Sequence, residues 1–262
     1  MCIIVFKPKR VTMPSIDIME NCFTNNPNGA GFMYRDGDVV HISKGYMTLD
    51  ALQGALNLVS ETVNLKAADV CIHFRISTTG SSIPANTHPF PLSNDVDDLR
   101  ALNIICARGL AHNGILHDYA TFHNINTDMS DTMYFAKAIS GVKDRFIETV
   151  IAPHVAKGSR FVYMPGKGKT ILFGMDKPKG TGIYYSNTSY LKALPTIYDY
   201  TPSKYAFGGT WFGDVGKVND ELLTAKEEEW QAWVKECQAA KKMWADRRID
   251  ARPFVKYLKE GW

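Results

Sequence analysis

A cysteine at the second position, Cys2, is the residue whose type and place point most directly to chemistry. Because cysteine is small, we expect Met1 to be removed, and the mature chain would then begin with a thiol and a free α-amine on one carbon. A free thiol has a pKa of about 8.5, and an α-amine, at roughly 7.7–8.0, is partly neutral at pH 7 and can act as a base. Cys2 therefore carries two of the groups that nucleophilic acyl transfer needs. The alternative is that it simply opens a buried strand over residues 2–6.

Three later segments carry polar groups that such a nucleophile would use. Residues 73–80 read His-Phe-Arg-Ile-Ser-Thr-Thr-Gly, residues 111–116 read Ala-His-Asn-Gly-Ile-Leu, and residues 130–132 read Ser-Asp-Thr ahead of an apolar stretch. An Asn-Gly pair between apolar runs also favours a hairpin, and a turn can coexist with a binding role.

Together with Cys2 and the segment Asn-Pro-Asn-Gly-Ala-Gly-Phe at residues 26–32, these motifs resemble the glutaminase domain of class II glutamine amidotransferases. The resemblance covers residues 2–186 and rests on five motifs in the same order. It implies an N-terminal nucleophile (Ntn) hydrolase fold, which is a four-layer αββα sandwich of helices outside two stacked sheets. Periodicity alone gives only an α/β or α+β class.

The resemblance implies that Cys2 attacks the side-chain amide of glutamine, releases ammonia and leaves a γ-glutamyl thioester that water hydrolyses. The side chain of Asn113 and the backbone N–H of Gly114 would stabilise the oxyanion.

By the same resemblance, Arg75 with Thr78 would bind the α-carboxylate of glutamine, and Asp131 would pair with its α-amine. The residues by themselves also allow Arg75 to be a surface arginine at a strand end. Asp131 would equally suit the first turn of a helix capped by Ser130. Some amidotransferases have histidine where this chain has Thr79, so Thr79 receives no role.

The sequence predicts alternating strands and helices, followed by a change of composition after residue 186. We expect the glutaminase domain over residues 1–186, and an irregular segment with a long C-terminal helix over residues 187–262. The predicted strands cover residues 3–6, 31–34, 39–42, 70–74, 102–106, 160–164, 170–174 and 182–186. The predicted helices cover residues 48–59, 131–140, 143–152 and 218–248, and a solvated loop is expected at residues 93–98.

Several other signals are weak. Residues 166–170 end like a phosphate-binding loop but precede a predicted strand, which favours a hairpin turn. Residues 187–189 match a glycosylation sequon without any sign of secretion. His88 is expected to order a loop rather than to perform chemistry.

The composition of the chain narrows the possible ligands and cellular locations of the protein. Five cysteines at scattered positions favour a reducing compartment, and no metal-ligand spacing occurs among them and the seven histidines, so we expect neither metal nor cofactor. A net charge of +3 gives no reason to expect direct nucleic-acid binding. With no signal peptide and no apolar stretch near the roughly 18 residues of a membrane span, a cytoplasmic protein is expected.

The predicted function is therefore a glutamine-hydrolysing amidotransferase subunit. The residues after 186 are too few for a synthase domain, so ammonia would pass to a synthase in a separate chain. The alternatives are a stand-alone Ntn amidase acting on a γ-glutamyl or other small amide, or a catalytically silent homologue that binds a partner. Homo-oligomerisation is left open.

The N-terminal mechanism makes one prediction about the chain itself. The intact mass of the natively expressed protein should be lower than the full-length value by one methionine. An active protein that retains Met1 quantitatively would contradict the role of the α-amine, because that amine would then be an amide.

Overall fold

Antiparallel pairing of short strands builds two sheets. The computed structural model describes residues 2–76, 82–120 and 129–192. Within these ranges the strands are β1 (Ile3–Lys7), β2 (Ala30–Asp36), β3 (Val39–Tyr46), β4 (Val70–Phe74), β5 (Phe90–Pro91), β6 (Asn103–Cys106), β7 (Arg108–Asn113), β8 (Arg160–Pro165), β9 (Ile171–Phe173) and β10 (Tyr184–Tyr185).

The first sheet has six strands in the order β10-β1-β4-β2-β3-β6, and the second has four in the order β5-β7-β8-β9. Every pairing in both sheets is antiparallel. β1 lies between β10 and β4, so the strand that follows Cys2 is hydrogen-bonded on both sides.

Helices complete a mixed α+β fold. In the described part of the chain there are six, namely α1 (Ile16–Asn25), α2 (Leu49–Ser60), α3 (Val96–Arg100), α4 (His117–Ala120), α5 (Asp131–Ala138) and α6 (Ile147–Ala156). The side chain of Thr48 caps α2 by accepting from the N–H of Ala51 at 3.3 Å, and that of Ser130 caps α5 by accepting from the N–H of Met133 at 3.2 Å.

Among the described residues, three apolar clusters account for the core. The inner cluster joins the two sheets, because it combines buried side chains of β1–β4 with side chains of β7 and β8: Ile4, Phe6, Met33, Val40, Ile42, Cys71, Ala111, Val162 and Met164. The contact is close at Gly109 of β7, where an added Cβ would lie 2.6 Å from the Met33 sulfur.

The other two clusters place helices against sheet residues. α1 and α2 contribute Cys22, Leu52 and Leu56 to a cluster with residues of β1, β2 and β4. α5 and α6 contribute to a separate cluster with Leu110 and Phe161 of the second sheet.

Most predicted elements are confirmed. The helix expected from Thr48 is α2, the helix expected at residues 131–140 is α5, and the turn expected at residues 166–170 joins the antiparallel strands β8 and β9. The helix expected from residue 143 begins with a 3-10 turn, Asp144–Phe146, and becomes α-helical as α6 at Ile147.

Two expectations about the chain need correction, and several elements were missed. The strand at residues 102–106 was expected to be buried, but β6 lies at the edge of its sheet and leaves Ile105 62% exposed. The loop expected at residues 93–98 contains the start of α3, capped by Asp95 and anchored by the fully buried Leu99. α1, α4, β5 and β7 were not predicted.

The predicted C-terminal helix at residues 218–248 lies outside the described residues, and the domain division at residue 186 stays a prediction. Residues 187–192 contact the first sheet and α1: Tyr190 stacks on Tyr185 with ring centroids 3.9 Å apart, and Asn25 donates to the carbonyl of Ser189 at 2.9 Å. No helix in the described ranges is both long enough and apolar enough to cross a membrane.

Because β6 is an exposed edge, a substitution in β6 should destabilise the protein less than one in the buried strand β7. Leu110→Ala removes a fully buried side chain and should lower the free energy of unfolding by about 2–5 kcal/mol. The matched change Ile105→Ala, at the exposed edge, should cost below about 1 kcal/mol. Urea denaturation of both variants measures the difference, and equal losses would show that β6 is covered.

Candidate active site

Strand register places Cys2 beside Arg75. β1 and β4 pair Ile3 with Phe74 and Ile4 with His73, so the next step of the ladder sets Cys2 opposite Arg75. Side chains alternate along a strand, and Ile4 belongs to the inner cluster. Cys2 and Arg75 therefore share the face of the first sheet that is turned toward the second sheet.

The Cys2 thiol is half-buried and contacts the backbone of the residue after Arg75. The thiol donates to the carbonyl oxygen of Ile76 at 3.4 Å, and its sulfur accepts from the N–H of Ile76, also at 3.4 Å. Burial raises the pKa of the thiol, while the N–H of Ile76 and the positive charge of Arg75 act in the opposite direction. At neutral pH the group is therefore mainly a thiol, and a base must remove its proton when it reacts.

Arg75 is buried at the end of β4, with only 3% of its surface exposed. Its backbone is held by the segment that precedes β2, donating to the carbonyl of Gly29 at 2.8 Å and accepting from the N–H of Asn28 at 2.9 Å. Burial lowers the pKa of the guanidinium, whereas Cys2 and Asp131 raise it. Arg75 thus lies in the field of both residues, which are 129 positions apart in the chain.

Asp131 is the first residue of α5 and is buried there. One carboxylate oxygen accepts from the N–H of Leu116 at 2.9 Å, and the other accepts from the N–H and hydroxyl of Thr132 at 2.7 and 3.2 Å. The carboxylate therefore ties the start of α5 to the segment after β7, in addition to interacting with Arg75.

Asn113 ends β7, and its amide binds the hydroxyl of Ser186, a residue that also binds β1. Its Nδ2 donates to the Ser186 hydroxyl at 2.9 Å, and the same hydroxyl accepts from the N–H of Ile4 at 2.8 Å. The Oδ1 of Asn113 is buried and has no hydrogen-bond partner among the described residues. Asn113 is thus connected to β1 through one serine.

Gly114 follows in a conformation that favours glycine, with φ of +147°. A Cβ at this position would lie 2.6 Å from the Ser159 hydroxyl. The hairpin expected from the Asn-Gly pair is absent, because β7 is followed in the chain by α4 and pairs instead with β5 and β8. The pair marks a sharp change of direction at the end of β7.

A directed chain of hydrogen bonds runs from Ser159 through His112 to Asp131. The Thr132 hydroxyl donates to Asp131, so it accepts from Nδ1–H of His112 at 2.9 Å. Nε2 of His112 is then the acceptor for the Ser159 hydroxyl, at 3.1 Å. Burial lowers the pKa of His112 to about 3, which keeps the ring neutral in this chain.

His73 and His88 lie beside this chain. Nε2–H of His73 donates to the carbonyl of His112 at 3.0 Å, which links β4 of the first sheet to β7 of the second. The His73 ring lies 4.2 Å from that of His88, and burial lowers the pKa of both. Both rings are therefore uncharged at neutral pH.

Five of the six predicted site residues can be described: Cys2, Arg75, Asn113, Gly114 and Asp131. Thr78, and also Thr79, lie outside the described residues. Sequence reasoning assigned no site role to Ser186, His112 or Thr132, and it read Asn187 only as part of a sequon. The Nδ2 of Asn187 donates to the carbonyl of Cys2 at 2.7 Å, a contact that no local pattern predicts.

In the described ranges, no group of three or more His, Cys, Asp or Glu side chains could hold a metal ion.

No protein-family model and no curated protein matches this chain. The assignment of a class therefore depends on the residues and their geometry.

The positive charge of Arg75 should affect the pH at which the Cys2 thiol becomes reactive. Because burial raises the pKa of Cys2 and Arg75 opposes that effect, Arg75→Gln should shift the pH profile of Cys2 alkylation further upward. Below the profile's midpoint, iodoacetamide should modify Cys2 roughly tenfold more slowly than in the unaltered protein. Peptide mass mapping over a pH series measures the rate at each cysteine.

Arg108→Gln is the matched control, because Arg108 acts on the pKa of Cys106. It should slow modification of Cys106 and leave Cys2 unchanged. A Cys2 profile that does not move in Arg75→Gln would show that the two groups do not interact.

Proposed function

We propose that this protein is a glutamine-hydrolysing class II amidotransferase with Cys2 as its nucleophile. The observation that carries the proposal is the convergence of Cys2, Arg75, Asp131 and Asn113 where β1, β4 and β7 meet. β1 and β4 pair directly, Arg75 interacts electrostatically with Cys2 and Asp131, and Ser186 connects Asn113 to β1. A site that had lost its chemistry would have no physical need for this set of groups.

The three apolar clusters support the finer proposal about the fold. One cluster joins the two sheets, a second joins α1 and α2 to the first sheet, and a third joins α5 and α6 to the second sheet. This is the order of contacts expected of the four-layer αββα sandwich of Ntn hydrolases.

The raised pKa of Cys2 explains why an N-terminal amine would be useful. Once Met1 is removed, the neutral α-amine takes the thiol proton as sulfur attacks the amide carbon of glutamine. The tetrahedral intermediate then collapses: the carbon–nitrogen bond breaks, the ammonium returns its proton to the leaving nitrogen, and ammonia departs. Water hydrolyses the resulting thioester to glutamate and restores the thiol.

The amide of Asn113 can supply an oxyanion donor by a half-turn about its last side-chain bond. Its Oδ1 would then accept from the Ser186 hydroxyl, which still accepts from the N–H of Ile4. Nδ2 would take the buried position where Oδ1 has no partner. Together with the N–H of Gly114, it would present two donors to the developing negative charge.

Arg75 and Asp131 are the groups proposed to recognise the amino-acid end of glutamine. The buried guanidinium suits the α-carboxylate. The Asp131 oxygen that accepts from Leu116 has the capacity to accept from an α-ammonium as well.

A second candidate function follows from the bonds that Asp131 already makes. Three donors from the protein itself bind its carboxylate, which is sufficient to explain why the residue is buried there. If Asp131 only anchors α5, the substrate need not carry an α-amine. The protein would then be an Ntn amidase for a γ-glutamyl or other small amide. Transfer of ammonia to a separate synthase chain belongs to the first proposal alone.

Steady-state release of ammonia from glutamine tests the assignment. Arg75→Ala and Asp131→Asn should each lower kcat/KM by tens- to thousands-fold, because an unpaired buried ligand charge costs about 2–5 kcal/mol. Asn113→Ala should lower kcat more than it raises KM, since its donor acts mainly in the transition state. Cys2→Ala should abolish turnover.

Thermal unfolding of each variant separates lost chemistry from lost structure, above all for Asp131→Asn, which also weakens the anchor of α5. If Arg75→Ala and Asp131→Asn both leave glutamine turnover unchanged, the small-amide hydrolase takes precedence. If an electrophilic glutamine analogue labels Cys22, Cys71, Cys106 or Cys237 and spares Cys2, the assignment of Cys2 as the nucleophile is wrong.

A further inference from the structure

Two side chains extend the ladder between β10 and β1 beyond its backbone end. Val5 pairs with Tyr185, and the N–H of Ser186 still donates to the carbonyl of Ile4 at 3.0 Å. The N–H of Ile4 does not form the reciprocal bond to the Ser186 carbonyl. It donates instead to the Ser186 hydroxyl, at 2.8 Å. One step further, Nδ2 of Asn187 donates to the carbonyl of Cys2 at 2.7 Å. Side-chain groups thus stand where backbone groups would continue the sheet.

The amide of Asn187 is fixed in one orientation by its two ends. Its Oδ1 accepts from the N–H of Ser189 at 2.9 Å, which is an Asx turn, and its Nδ2 meets a carbonyl oxygen. The reverse orientation would set two donors against each other at Ser189 and two acceptors against each other at Cys2. Asn187 is therefore a donor to Cys2 by necessity.

This arrangement solves a geometric difficulty of an N-terminal nucleophile. The first residue of a chain is ordinarily mobile, yet attack on an amide requires it to be placed to within a fraction of an ångström. A paired backbone strand would also hold Cys2, but that strand would then continue alongside the start of the chain. Here the Asx turn directs the chain away after Ser186, while the two side chains still hold Ile4 and the carbonyl of Cys2.

Ser186 adds a second connection, because its hydroxyl also binds the amide of Asn113 at 2.9 Å. The same two consecutive residues therefore contact the strand that carries the nucleophile and the side chain proposed to stabilise the oxyanion.

We propose that Ser186 and Asn187 are positioning residues that hold Cys2 and Asn113 in register with each other, through the Cys2 carbonyl, the Ile4 N–H and the Asn113 amide. Their catalytic consequence depends on the proposed function, whereas their hold on Cys2 does not. Asn187→Asp keeps the acceptor for Ser189 and replaces the donor to Cys2 by an acceptor. It should lower kcat for glutamine at least about tenfold while KM changes less than about twofold.

Ser186→Ala should lower kcat in the same way, and Ser186→Thr, which keeps the hydroxyl, should restore most of it. Asn25→Ala is the matched control: it removes two amide-to-carbonyl bonds in the same segment, to Ser189 and Leu191, without touching β1. Its kcat should match that of the unaltered protein. An equal loss in Asn25→Ala would overturn the proposal, because general anchoring of the segment would then explain the effect.

Two readouts that need no glutamine separate this proposal from the proposed function. Hydrogen exchange should be faster at the amide of Ile4 in Ser186→Ala, and alkylation of Cys2 should change in rate in Asn187→Asp. If the unaltered protein releases no ammonia but both readouts change as expected, the glutaminase fails and the positioning role stands. If the protein hydrolyses glutamine, Asn187→Asp leaves kcat and Cys2 alkylation unchanged, and Ser186→Ala leaves exchange at Ile4 unchanged, the positioning role fails and the glutaminase stands.

Discussion

The antiparallel pairing of β1 with β4 is the interaction on which the candidate site depends. Its register sets Cys2 opposite Arg75 and turns both toward the second sheet. Because side chains alternate along a strand, a slip of one residue would turn Cys2 to the opposite face, toward α1 and α2. β1 is bonded to β10 on its other side as well, so a slip would break two ladders. The position of Cys2 in the candidate site therefore depends on the register of β1 with both of its neighbours.

Packing of the second sheet against the first brings the remaining groups within reach. The inner cluster holds the sheets together, and the hydrogen bond from His73 to the carbonyl of His112 connects them close to Asn113. Burial keeps both histidines neutral, which suits a site whose charges lie on Arg75 and Asp131. A charged ring among them would add a positive charge beside Arg75 without a counter-charge.

Two lysines away from the site are also buried, Lys7 and Lys44. Lys7 donates to the carbonyl of Ala68 at 2.7 Å, and Lys44 donates to those of Leu99 and Ala85 at 2.7 and 2.9 Å. Burial lowers the pKa of both amines, and backbone oxygens satisfy their hydrogens. Lys44 thereby holds the segment that contains α3 against β3. This segment had the character of a solvated loop in the sequence.

The sequence by itself determined the features that depend on neighbouring residues. Apolar runs located β1 and β4, the amphipathic pattern from residue 48 located α2, and the cap Ser130 located the start of α5, because a cap and the turn it satisfies are local. Only the tertiary structure decided that β6 is an exposed edge, since an apolar strand carries no record of what covers it. Tertiary structure likewise decided the contact of Asn187 with Cys2, 185 residues apart, because a hydrogen bond between distant residues depends on the packing of the whole sheet between them.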